Sequence, residues 1–236
     1  MGVSQIFPDF YISTEPSGLP RVGDIYYLPV PEITEYKVLE VIRATPEAHS
    51  IVDYQAVQFD DSVHYKENDK LPVALLKIES GSEALLIKSK KRPCVVLAVT
   101  TNNVSGLPNS DRLAIKTFSL PTYLVAPMFS CTSPSKVTSF SPTMTARIKA
   151  LQYPHFAYMK DFNGGVAGSI LRLDYIFPSK IGVGTQKAVI KVHHEVMQLI
   201  QAQTSIILDL ETSQDQIEYL KLIKETVLDC LPANLA

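Results

Sequence analysis

KKRPCVVLAVT, residues 90–100, sets three cations and a proline in front of an unbroken apolar run, Cys94-Val95-Val96-Leu97-Ala98-Val99. Valine is stiff at χ1 and suits a pleated surface better than a helix. A run this short, apolar at every position, predicts a strand covered on both faces. Pro93 lacks a backbone donor and fits at the start of such a strand. Arg92 is then a cation held at the mouth of a core strand, a rigid place for binding or chemistry. Taken alone, Lys90 to Arg92 read first as a solvated turn.

Working outward, the chain has 236 residues and is 46% hydrophobic, enough to fill a sizeable core. The formal net charge of −2 gives no global basic field, so an anionic ligand needs a local basic site. Cys94, Cys131 and Cys230 lie far apart. They form neither a disulfide framework nor a metal knuckle, and a reducing cytoplasm is expected. No apolar run approaches membrane-spanning length, so no membrane association is expected.

Several strands are legible in order. Gly23-Asp24 punctuates a turn before Ile25–Val30, an aromatic and β-branched run. Residues 1–20, rich in Pro, Ser and aromatics, read as an irregular arm packed on the core. Residues 50–59 alternate as a strand, 36–44 fit a strand or a short helix, and 71–78 fit another strand. Val57, Phe59, Val73 and Leu75 are expected to be buried there. Tyr123–Phe129 reads as a core strand ending near Pro127. Residues 101–111 and 130–142 read as loops, and Pro142–Leu151 as a short helix stopped by Gln152-Tyr153-Pro154. Asn163-Gly164-Gly165 signals a turn into Gly168–Ile176, where Arg172 and Asp174, two apart, fall on one face of a strand. Gln186–Gln203 and Thr212–Leu231 both show helical spacing, the second capped by Thr212 or Ser213.

The order of these pieces resembles the MazF/PemK/Kid family of toxin endoribonucleases. Gly23-Asp24-Ile25-Tyr26 is similar to the family's opening strand. Gly81-Ser82-Glu83 and Arg92-Pro93-Cys94-Val95-Val96-Leu97 are similar to its Gly-x-Glu and Arg-Pro motifs. Val125-Ala126-Pro127-Met128-Phe129-Ser130 is similar to its core strand with a proline, and Arg172-Leu173-Asp174 to its Arg-x-Asp. The likeness covers 21–30, 81–131 and 164–204. The departures are residues 31–80, an insertion; 205–236, a C-terminal helical extension; a long spacer before Arg92; Ser82 where some members have histidine; and Phe129 where many have threonine.

The resemblance implies a single domain over 1–236, mainly β with α additions (α+β), built on an SH3-like small barrel. It implies a cytoplasmic homodimer with a cognate antitoxin protein, acting on single-stranded RNA without metal or cofactor. In that chemistry the ribose 2′-OH attacks the neighbouring phosphate and leaves a 2′,3′-cyclic phosphate and a 5′-OH end. The step needs a base, an acid and cations for the phosphorane charge. Arg92 and Arg172 suit the charge, because guanidinium forks match phosphate oxygens. Asp174 or Glu83 suits the base. Ser82, Lys91, Ser130 and Tyr26 are the candidate substrate-binding residues. The alternative is a catalytically inactive barrel that binds protein or nucleic acid. In that case Arg172 and Asp174 are an ordinary surface ion pair. The five histidines read as surface or packing residues, with His193 and His194 pointing apart on a helix. Cys94 reads as inert core.

Overall fold

The computed structural model describes residues 2–15, 18–32, 37–45, 51–60, 62–64, 78, 82–100, 122–131, 140–162, 168–211 and 213–229. The expected loop at 101–111, most of the loop at 130–142, most of the strand at 71–78 with Val73 and Leu75, and the Asn163-Gly164-Gly165 turn lie outside them. In chain order the elements are helix α1 (Val3–Ile6), strands β1 (Tyr11–Ser13), β2 (Asp24–Pro31), β3 (Lys37–Arg43), β4 (Ile51–Gln58), β5 (Leu85–Leu86), β6 (Ser89–Thr100) and β7 (Thr122–Ser130). Then follow helix α2 (Pro142–Lys149), β8 (Phe156–Met159), β9 (Ser169–Arg172), a 3₁₀ turn (Leu173–Tyr175), β10 (Phe177–Ser179), β11 (Lys187–Val192), α3 (His194–Ile207) and α4 (Gln214–Asp229). The class is mainly antiparallel β with helices added.

Residues 1–28 with 91–236 form one compact unit and residues 29–90 a second. The larger unit is built on a sheet in the order β1–β11–β2–β6–β7–β9–β8, with β10 also paired to β7. Cys94 to Leu97 on β6 are all buried. Successive strand residues face opposite ways, so both faces of β6 are covered, as its unbroken apolar run requires. Ile25, Val95, Ala126, Ile170, Leu171, Leu199 and Ile200 share this core.

β7 is the hinge of the topology. Its first half pairs with β10, Val125 opposite Phe177, and its second half with β9, Met128 opposite Leu171. Between those registers Ala126 and Pro127 face the longer stretch Arg172–Ile176, part of which leaves the ladder as the 3₁₀ turn. Pro127 offers no backbone donor, so β7 runs on past its proline beside a partner strand that breaks there. Gly168 precedes β9 because a Cβ there would strike the Tyr158 hydroxyl and lie 2.5 Å from the Met159 carbonyl oxygen.

The expected arm is partly regular. α1 and β1 belong to it, β1 pairs with β11, and Val3, Phe7 and Phe10 are buried. The Tyr11 hydroxyl donates to the Lys160 carbonyl at 2.6 Å, and the Lys160 ammonium reaches the Pro8 carbonyl at 2.9 Å. The single helix expected over 186–203 is corrected. Lys187–Val192 is a strand, with Ala188 and Val192 buried and Val189 exposed between them, and the helix begins at His194. Its alternation carries the period of a strand, and only from Val196 onward does the 3.6-residue period take over. α4 is closed at its start by a reciprocal capping box. The Gln216 N–H donates to the Ser213 hydroxyl at 3.3 Å, and the Ser213 N–H donates to Gln216 Oε1 at 3.2 Å.

In the smaller unit β3 is flanked by β4 and β5 in a sheet of its own. β3 and β4, both within the insertion, pair with each other, and β3 pairs on its other side with β5, which follows the insertion. Val57 and Phe59, expected to be buried, are half-buried. His64 is buried at 4% exposure, stacked on Phe59, with its Nδ1 against Asp60 and its Nε2 3.5 Å from Glu40.

Candidate functional site

Three strands and one corner bring the larger unit's candidate cations together. The β6–β7 register pairs Cys94 with Pro127. Continued two residues, it sets Arg92 level with Phe129, and the Arg92 guanidinium lies 4.1 Å from the centre of that ring. On the other side of β7, Phe129 pairs with Ile170. Arg172 stands two residues further along the same face, opposite Phe156 on β8. Its guanidinium lies 5.7 Å from the Phe129 ring, 5.5 Å from Phe156 and 5.9 Å from Tyr175. Two cations thus share one half-buried ring. Cation–π contacts of this kind contribute about 0.5–2 kcal/mol each and fix the guanidinium plane.

Arg172 is also held by Asp174. Its Nε donates to Asp174 Oδ1 at 2.6 Å and its Nη2 to Oδ2. The pair was expected side by side on a strand. Instead Arg172 ends β9 and Asp174 sits in the 3₁₀ turn, which folds the carboxylate back onto the fork. The Asp174 hydrogen bond raises the Arg172 pKa above its ordinary value; burial opposes this, and the charge of Asp174 reinforces it. The two side chains keep 31% and 28% exposure, so solvent reaches the pair. Among the described residues no acceptor engages the Arg92 guanidinium.

Ser130, Lys91 and Tyr26 belong to the larger unit as well. Ser130 follows Phe129 at the exposed end of β7. Lys91 is exposed on β6 and its ammonium donates to Gln186 Oε1 at 2.9 Å. Tyr26 is buried at 4% exposure, so its ring is core and offers no surface to a base. Burial, then the charge of Asp24, raises its hydroxyl pKa. Ser82, exposed, and Glu83, half-buried, belong to the unit of residues 29–90.

A second ion pair gave no signal in sequence. Lys187 on β11 meets Asp24 on β2 at 3.0 Å, with side-chain exposures of 7% and 2%. The Arg21 backbone N–H adds a bond to Asp24 Oδ2 at 3.0 Å. Gly23, at φ 87°, turns the chain into this pair, its N–H on the Val96 carbonyl and its own carbonyl accepting from Val192. The role of Gly23-Asp24 is therefore a turn plus a buried anion. Cys94 and Cys131 are free and buried, their thiols pushed up to about 12 and about 11 by burial. His193 precedes α3 in an extended conformation and its ring centre lies 4.2 Å from that of His194, so the two do not point apart. Among the described residues no cluster of His, Cys, Asp or Glu is placed to hold a metal ion, and no helix is long and apolar enough to cross a membrane. No family model matches the chain, and neither a curated protein nor a solved structure matches it.

Proposed function

We propose that this chain is a toxin-like endoribonuclease of the MazF/PemK kind, on an enlarged SH3-like barrel, and that it binds single-stranded RNA on the face carrying Arg92, Phe129 and Arg172. The observation that supports this most is the meeting of two guanidinium groups on one partly exposed aromatic ring. Guanidinium forks match phosphate oxygens, and aromatic faces carry unstacked bases. Neither partner demands a basic protein overall, which fits a formal net charge of −2.

In the cleavage step the 2′-OH attacks the adjacent phosphorus, and the bond from phosphorus to O5′ breaks. Arg92 and Arg172 stabilise the charge that develops on the phosphorane oxygens. Asp174 takes the 2′-OH proton, and water reaching this half-exposed face protonates O5′. A cognate antitoxin covering the cluster, a homodimeric assembly and a cytoplasmic location belong to the same proposal. The second reading is a silent barrel that binds RNA or protein without cutting. Two observations favour it. Phe129 stands where a hydroxyl would serve the reaction, and the Asp174 carboxylate is closed onto Arg172.

The test is incubation of purified protein with a long RNA in EDTA, followed by mapping of the ends. Cleavage leaving 2′,3′-cyclic phosphates, lost on the order of 10²-fold in Arg172→Ala, is expected. Intact RNA with retained binding would select the silent barrel. Neither cutting nor binding would remove both.

A further inference from the structure

We propose that the Arg172 fork is an anion site occupied in the free protein by the chain's own Asp174, and that a phosphodiester enters by exchange with that carboxylate. The inference rests on the RNA-binding reading for the identity of the incoming anion and on geometry for the exchange.

Arg172 presents Nε and Nη2 to the two oxygens of one carboxylate, the same two-pronged arrangement that a phosphate accepts. The pair is half-exposed on both sides, so opening it is cheap and the released carboxylate returns to water. Asp174 is not the only group against the guanidinium. Phe129, Phe156 and Tyr175 all lie within 6 Å of it. Asp174 is carried on the short 3₁₀ turn opposite Pro127, where the β7 ladder is interrupted, so it swings away without breaking a strand pairing. Arg92 differs: it rests on Phe129 with no carboxylate among the described residues. A phosphodiester on this face therefore completes its contacts at Arg172 by displacing Asp174.

Binding is read with a 2′-deoxy oligonucleotide, which has the phosphodiester but cannot be cut, and separately with inorganic phosphate. Asp174→Asn should bind the oligonucleotide about five-fold tighter than the wild-type chain, because the internal competitor and a negative charge are gone. Arg172→Ala should bind it more weakly. In the wild-type chain the Arg172 Nε–H resonance should shift on titration with inorganic phosphate, a readout that needs no variant to fold. Equal or weaker binding by Asp174→Asn with a native melting curve, or an Arg172 resonance that phosphate leaves unmoved, would overturn the exchange. If phosphate shifts the resonance and Asp174→Asn tightens phosphate alone, with no oligonucleotide bound, the exchange stands and the RNA reading fails.

Discussion

Two ion pairs of the larger unit, Asp24–Lys187 and Arg172–Asp174, join the same kinds of group and serve opposite ends. Asp24 and Lys187 meet inside the sheet at 7% exposure or less, with a backbone N–H from Arg21 completing the carboxylate. Arg172 and Asp174 meet at a strand end where solvent reaches both. Burial makes the first pair costly to break and hard to exchange, since each charge left alone would have no water. Exposure makes the second worth little to stability and open to a competing anion. What a charged pair does here is set by where the backbone leaves it.

The comparison is broken most forcefully at Lys187. Lys187→Met leaves the Asp24 carboxylate buried and unpaired, and should cost about 3–5 kcal/mol of unfolding free energy in a urea titration. Asp24→Leu combined with Lys187→Met removes both charges, and should recover most of that loss. A single variant as stable as the wild-type chain would show that the pair is not a structural element.

Alkaline pH tests the buried side of the same contrast. The thiols of Cys94 and Cys131 stand at about 12 and about 11 against an ordinary 9, raised by burial. The folded chain holds those protons more tightly than the unfolded one. Their contribution is therefore complete below pH 9 and is lost as pH rises from 9 toward 11 and 12. The raised hydroxyls of Tyr11, Tyr26 and Tyr158 act in the same direction above their ordinary value. Chemical denaturation at pH 8 and pH 10.5 should show the fall, and Cys94→Ala with Cys131→Ala should lessen it. The half-exposed pair gives the smallest effect. Asp174→Asn should change stability by about 1 kcal/mol or less, so a much larger shift in the melting curve would make the pair a structural element.

The buried strands β2, β6 and β7 were legible because β-branched and aromatic runs of that length have few other uses. The helices α3 and α4 were legible where the 3.6-residue spacing lasted for several turns. β11 was misread because Val192, Val196, Leu199 and Ile200 fit a helix when taken together, although the change of period falls at His193. β8 and β10 are too short to hold a pattern of their own. The Arg172–Asp174 contact was anticipated from spacing along a strand, and its true cause is the 3₁₀ turn, imposed where Pro127 stands across from it. The role of Phe129 depends on β6 and β9 arriving on either side of β7, which no local stretch contains. The Asp24–Lys187 pair joins distant strands, and nothing near either residue announces the other.

The stretch between Glu32 and Lys88 is tied at its ends by a backbone hydrogen bond. β2 and β6 are hydrogen-bonded neighbours, and just beyond them the Glu32 N–H donates to the Lys88 carbonyl at 2.6 Å. For the large sheet, the whole stretch between those residues is a closed loop pinned at its neck. The entropy of closing a loop grows only with the logarithm of its length, about 0.6 kcal/mol per doubling for a flexible chain. Lengthening or shortening the stretch between those residues therefore changes the loop-closure entropy only slightly.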